Sequence, residues 1–186
     1  MVKIETNPSY LKDEMKQKIR KSFLHSEFPA VLLNDFFTKE FYLELKKKVS
    51  TLDFKKNVNV LHHSYATAPF KVSFKELPHF ISFVTKKKVD EINFTAYLLT
   101  WKDYQILNDR YLEKSGIDMI IDVTDHWDST WGGAVTFTNG KGTIHPLNLI
   151  GNSVALVERT KGLQRYIQYF NHHGKEKKRL LLIASI

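Results

Sequence analysis

The stretch Asp122-Val123-Thr124-Asp125-His126-Trp127-Asp128-Ser129-Thr130-Trp131-Gly132-Gly133-Ala134-Val135-Thr136-Phe137 decides how this chain folds. It reads as the end of one strand, a tight polar turn carrying two tryptophans, a glycine pair, and the start of another strand. After the glycines, Ala134 and Thr136 alternate with Val135 and Phe137, as a β-ribbon requires. The turn also holds His126 and Asp128, an imidazole and a carboxylate at the spacing of a metal-ligand pair.

The rest of the C-terminal part repeats this β-rich pattern. Strands are predicted over Phe94–Thr100, Tyr104–Leu107, Asp118–Val123, Ala134–Thr138, Ser153–Val157, Arg165–Phe170 and Leu180–Ala184. Asn139-Gly140-Lys141-Gly142 reads as a hairpin turn. Upstream, Phe28–Phe37 reads as a strand running into a turn, followed by a helix from about Thr38 to Ser50, and Leu77–Lys88 reads as a second helix. Residues 53–72 are less regular, with a strand expected near Val58–Leu61. Ser9–Leu24 has apolar residues at helical spacing among many charges and is expected as a peripheral lead-in. Helices first and strands every 10–15 residues or so fit an α+β jelly roll with N-terminal helices packed on one sheet. The domain reading is a lead-in over 1–25 and a single jelly-roll domain over 26–186.

The 186 residues suffice for one sizeable core. No apolar run approaches the ~18 residues of a membrane helix, and no secretory leader is visible at the N-terminus. Cysteine is absent, which removes disulfide, zinc–thiolate and cysteine-nucleophile chemistry, and a cytoplasmic location is the expectation. The net charge is +8, carried mostly by lysine clusters such as Lys46–Lys48, Lys86–Lys88 and Lys175–Lys178. Such a balance supports weak, sequence-independent attraction to RNA phosphates that falls steeply with salt. No strand offers exposed aromatic residues at alternate positions beside basic ones, and Tyr166 and Phe170 are expected to be packed.

The strand, the Asn34-Asp35-Phe36-Phe37 turn and the first helix, together with the Trp127-x-x-x-Trp131-Gly132-Gly133 turn, resemble the prolyl-hydroxylase-like 2-oxoglutarate/Fe(II) oxygenases over roughly Phe28 to Ile183. The resemblance implies a double-stranded β-helix whose mouth holds Fe(II) through two His and one carboxylate, leaving three positions for co-substrate and O₂. A basic side chain deeper in the barrel pairs with the distal carboxylate of 2-oxoglutarate. Aligned by strand order, the first metal pair falls on Asn108 and Arg110, after Lys102–Leu107. The second His falls on Gln164 or Arg165. The 2-oxoglutarate site would involve Arg179 and Tyr104. In this register all three metal positions (Asn108, Arg110, Gln164) are substituted, so no metal is expected there and hydroxylase activity is lost or altered. A second register uses residues that are present, His126 and Asp128 as the pair with His172 or His173 as the distal ligand, and implies an active 2-oxoglutarate/Fe(II)-dependent dioxygenase.

The alternative is a non-catalytic binding module for an anion, a peptide or RNA, with Trp101, Trp127, Arg110 and Arg165 about the mouth. A protein or peptide substrate is the partner that the oxygenase resemblance implies. Asp118 and Asp122 share one strand face, and either line the barrel or are solvated at an edge. If Arg179 lies inside the barrel it needs a carboxylate or ordered water, because an unpaired buried charge costs several kcal/mol. His62 and His63 are adjacent on a predicted strand and so point to opposite faces, which argues against a shared metal. Val135, Phe137, Val154, Leu156, Tyr166, Leu181 and Ile183 are the expected core.

Overall fold

Period-two alternation divides each central strand between two cores. In the computed structural model, which describes residues 5–107, 114–139 and 142–186, strand β6 (Gly116–Asp122) is buried along its whole length. Ile117, Met119 and Ile121 join one hydrophobic cluster, and Ile120 joins the other. Strands β9 (Ser153–Arg159) and β11 (Arg179–Ser185) divide the same way. Val154, Leu156, Leu182 and Ala184 lie in the first cluster, and Ala155, Val157, Leu181 and Ile183 in the second. Opposite faces of one strand point to opposite sides of the sheet, so the first cluster lies under the helices and the second fills the inside of a roll.

The remaining strands are β1 (Ala30–Leu33), β2 (Lys55–Asn59), β3 (His63–Phe70), β4 (Phe94–Leu99), β5 (Tyr104–Gln105), β7 (Val135–Thr138), β8 (Ile144–Pro146) and β10 (Gln164–Ile167). Their order across the sheet is β1-β9-β6-β11-β4-β3-β5-β10-β7-β8, with β2 added against β3. Every pairing between them is antiparallel. The two ends of this path meet. Phe28, just before β1, stacks on His145 of β8 with ring centroids 4.0 Å apart and planes 6° from parallel, and also packs on Phe137. The sheet therefore curls into a double-stranded β-helix, with β9, β6, β11 and β4 on one side and β5, β10, β7 and β8 on the other.

Helices α2 (Asp13–Leu24), α3 (Lys39–Ser50) and α4 (Leu77–Thr85) contribute buried apolar residues to the first cluster, and a short α1 (Pro8–Leu11) precedes them. Thr38 caps α3 by accepting from the Phe41 N–H. The Tyr42 hydroxyl donates to the Thr124 carbonyl at 2.9 Å, and Lys46 pairs with Asp125, which ties α3 to the end of β6. Among the described residues no helix is long and apolar enough to cross a membrane.

Four expectations change. The N-terminal segment is no peripheral lead-in, since Ile19 and Phe23 of α2 are buried in the helical core. Strand β3 was hidden by Pro69 and by Ala66 and Ala68, which give little apolar contrast. The strand expected near Val58–Leu61 lies earlier, as β2, and Val60 and Leu61 form the exposed tip between β2 and β3. Tyr166 is only partly buried, because the inward positions of β10 belong to its neighbours Arg165 and Ile167. Gly140 and Lys141 of the expected hairpin turn lie outside the described residues, but β7 and β8 on either side of it do pair.

Candidate functional site

The inside of the barrel is charged at both ends of β6. Asp118, Ile120 and Asp122 face inward together, which settles the reading of the two carboxylates in favour of barrel lining. Both are fully buried. At one end Asp118 Oδ2 accepts from Arg165 Nη1 at 2.7 Å, reaching from β6 to β10 on the opposite side of the roll. Its other oxygen lies 3.0 Å from Arg159 Nε and accepts from the Ser185 hydroxyl at 2.8 Å. A carboxylate out of water is costly unless it is paired and hydrogen-bonded, and the fixed fork of a guanidinium suits that role better than an ammonium.

At the other end Asp122 Oδ2 accepts from Arg179 Nη2 at 2.9 Å. The same Nη2 reaches the Leu149 carbonyl at 3.1 Å, and Nη1 donates to the Gly133 carbonyl at 2.9 Å. The guanidinium lies 4.8 Å from the centre of the Trp127 ring. Asp122 Oδ1 accepts from the Thr124 N–H at 2.8 Å. Arg179 is thus inside the barrel, as the resemblance implies, but its carboxylate comes from the chain itself. A cleft of about 310 Å³ reaches it between Trp127, Ser129 and the Leu147–Ile150 loop.

The Trp-Gly-Gly turn builds this end. Asp128 begins a 3₁₀ turn over Ser129–Trp131, accepting from both the N–H and the hydroxyl of Thr130. Those hydrogen bonds, with the nearby His126, hold its carboxyl below the usual aspartate range. Gly132 and Gly133 have φ of +78° and +68°. A Cβ on Gly132 would lie 2.0 Å from the Tyr169 carbonyl oxygen, so the close approach of these loops needs glycine. The Trp127 indole N–H donates to the Gly132 carbonyl, and its ring packs edge-on against Trp131 and Phe170.

The sequence-derived positions distribute as follows. Asn108 and Arg110 lie outside the described residues. Gln164 alternates with inward-facing Arg165 and so faces away from the barrel interior; of the two aligned alternatives, Arg165 is the inward one. Gln105 is directly opposite inward-facing Ile167, which turns Tyr104 outward. The Tyr104 hydroxyl donates to the Val60 carbonyl at 2.5 Å, away from Arg179. In the second register, His126 sits against the edge of Trp131, Asp128 is engaged as a cap, and His172 packs on His173. Among the described residues no three His, Asp or Glu side chains come together to hold a metal. The donor set of the described residues does not fit Fe(II). Arg179, which the resemblance implies as the base for 2-oxoglutarate, is paired with Asp122.

No protein-family model and no curated protein sequence matches the chain. Its structure is similar to a prolyl-4-hydroxylase of Pseudomonas putida, with a TM-score of 0.71, 9% identity, and coverage of 92% of this chain and 97% of that one. It is similar to an oxidoreductase of the 2OG-Fe(II) oxygenase family from Burkholderia pseudomallei at TM-score 0.69 and 8% identity, covering 94% and 91% of the two chains. A prolyl hydroxylase from Trichoplax adhaerens, in complex with a hypoxia inducible factor peptide fragment, matches at TM-score 0.67 and 8% identity over 92% and 88%. The chain has the double-stranded β-helix fold of the prolyl-hydroxylase-like 2-oxoglutarate oxygenases.

Proposed function

We propose that this chain is a prolyl-hydroxylase-like barrel that has lost iron-dependent hydroxylation and is retained as a binding module. The observation that carries this reading is the Arg159–Asp118–Arg165 bridge. Inside the roll, the inward one of the two β10 positions that the resemblance offers for a metal-ligating His bears a guanidinium, and Asp118, a fully buried carboxylate, pairs with it at 2.7 Å. A cation there repels Fe(II), and using Asp118 as a metal ligand would take a buried carboxylate away from two largely buried guanidinium groups. The sequence at the other aligned positions, Asn108 and Arg110, points the same way.

Anaerobic titration with Fe(II) in the presence of 2-oxoglutarate tests the reading, followed by metal analysis and by the absorption band of an iron–2-oxoglutarate complex. The expected outcome is no stoichiometric iron and no band. Tight 1:1 iron that disappears in His126→Ala would overturn it and make the second register the working site.

A further inference from the structure

We propose that the rim of the barrel carrying Trp101, Trp131 and Tyr169 binds single-stranded nucleic acid. Three loops make this rim: the turn between β4 and β5, the Trp-Gly-Gly turn, and the segment from β10 to β11. Backbone hydrogen bonds lock them together. Lys102 N–H donates to the Phe170 carbonyl, Phe170 N–H to Asp103, and Asn171 N–H to Trp131, all at 2.8–2.9 Å. The rings are therefore held at fixed places. Trp101 and Trp131 are half-buried, and Tyr169 is 52% exposed.

Unpaired lysines surround these rings. Lys102 and Lys175 lie 4.3 and 5.0 Å from the Trp101 ring centre, and Lys177 lies 5.5 Å from that of Trp131. Among the described residues no carboxylate comes within 4.0 Å of Lys102, Lys175, Lys177 or Lys178. Six lysines elsewhere (Lys16, Lys46, Lys48, Lys56, Lys87 and Lys88) do have a carboxylate partner, and what distinguishes the rim is that its lysines lie over tryptophan rings. The loop His172–Lys178 adds two histidines and holds one glutamate.

Cations held over partly exposed rings match a ligand that alternates phosphates with planar bases, the ammonium groups passing to phosphate as a base takes their place on the ring. Lysines neutralise the backbone, and unpaired bases stack on indole or phenol rings without regard to sequence. A duplex hides those base faces, and an acidic peptide has no use for the rings. The rim lies at the end of the barrel opposite Asp118 and shares the Trp-Gly-Gly turn with His126 and Asp128, so binding is measured with chelator present, which separates it from any iron bound there.

The test is fluorescence anisotropy with a labelled single-stranded oligonucleotide of about 12 nucleotides, within the footprint range of such surfaces, in chelator-containing buffer. We expect binding at low salt that is at least about tenfold tighter than for the same sequence as a duplex or for polyglutamate, since only the single strand offers base faces. The triple variant K102E/K175E/K177E should reduce the slope of log affinity against log salt by about 2, from ~0.7 per lost phosphate contact. W101A/Y169A should weaken binding about tenfold at fixed salt. Circular dichroism checks the fold of both variants. Wild-type tryptophan emission should also be quenched on saturation, a readout independent of any variant's folding. Equal affinity for polyglutamate, unchanged binding by folded W101A/Y169A, unquenched emission or no binding would each overturn the proposal.

Discussion

Asp118 and Arg165 join the two sides of the barrel through a contact of 2.7 Å made from opposing strands, β6 and β10. The interior of a roll is filled by packed side chains or by a ligand, and polar groups there must be paired. This chain fills one end with an ion pair and a second guanidinium, Arg159, at 3.0 Å from the same carboxylate. The pair therefore has a structural consequence, fixing the separation of the sheet's two sides, as well as a chemical one.

Removing the carboxylate should be costly. Asp118→Ala leaves Arg159 and Arg165 without their shared partner, with side chains 9% and 8% exposed. Breaking a buried pair from one side costs about 3–5 kcal/mol. Urea denaturation should show a loss of that order, and Asp118→Asn should lie between wild type and alanine. A loss under about 1 kcal/mol, typical of an exposed pair, would mean that water reaches this end of the barrel.

Arg179 and Asp122 should behave as a coupled unit. Arg179→Met strands a fully buried carboxylate, and Asp122→Asn strands a buried guanidinium, whereas the double variant strands neither. Its cost should fall short of the sum of the single costs by at least about 1.5 kcal/mol, the range for residues in one network. Additive effects in denaturation would show that Gly133 and Leu149 carbonyls, not Asp122, hold Arg179.

The architecture was legible because its signals are local. Alternation at Ala134–Phe137 and the Gly132-Gly133 pair mark the strands and the turn between them without any knowledge of their neighbours. The site was legible only in part. Arg179 stood out by strand order, but Arg159 and Ser185 did not, because they meet Asp118 only when distant strands pair. What the sequence did contain was a charge pattern: Asp118, Asp122, Arg165 and Arg179 at or beside apolar strand positions, where each buried charge demands an opposite one. Trp101 was legible as a residue of the barrel mouth, but its grouping with Tyr169 and the lysines was not, for a related reason. Its rings come from three loops that are far apart in the sequence, and no single strand displays them at alternate positions.

Gly132→Ala should destabilise more than Gly162→Ala. Both positions have positive φ, +78° and +86°, and at Gly132 the accompanying ψ of −150° lies in a region essentially confined to glycine, where backbone strain alone is of order 1–3 kcal/mol. At Gly162 an added Cβ meets nothing within 4 Å, while at Gly132 it would lie 2.0 Å from the Tyr169 carbonyl oxygen. Forcing those loops apart should add about 1–3 kcal/mol, as overpacking does. Paired thermal or urea melts read the difference directly, and equal losses would show that the loop from β10 to β11 yields freely.

His63 should make the fold sensitive to mild acid. Burial lowers its pKa from the ordinary 6.5, and neighbouring His62 lowers it further. Its ring also stacks on Tyr65, with centroids 4.7 Å apart. The folded state therefore prefers neutral imidazole and takes up its proton at lower pH than the unfolded chain does. Where the unfolded chain binds more protons, stability rises with pH. The contribution of His63 is thus fully present above pH 6.5 and is lost as pH falls from there through the folded pKa. Urea midpoints measured at intervals across this window should decline for the wild type, and the decline should be shallower in His63→Gln, which cannot titrate. His62→Gln should also flatten it, but less, since burial is the larger cause. An unchanged slope in His63→Gln would assign the acid sensitivity to the carboxylates instead.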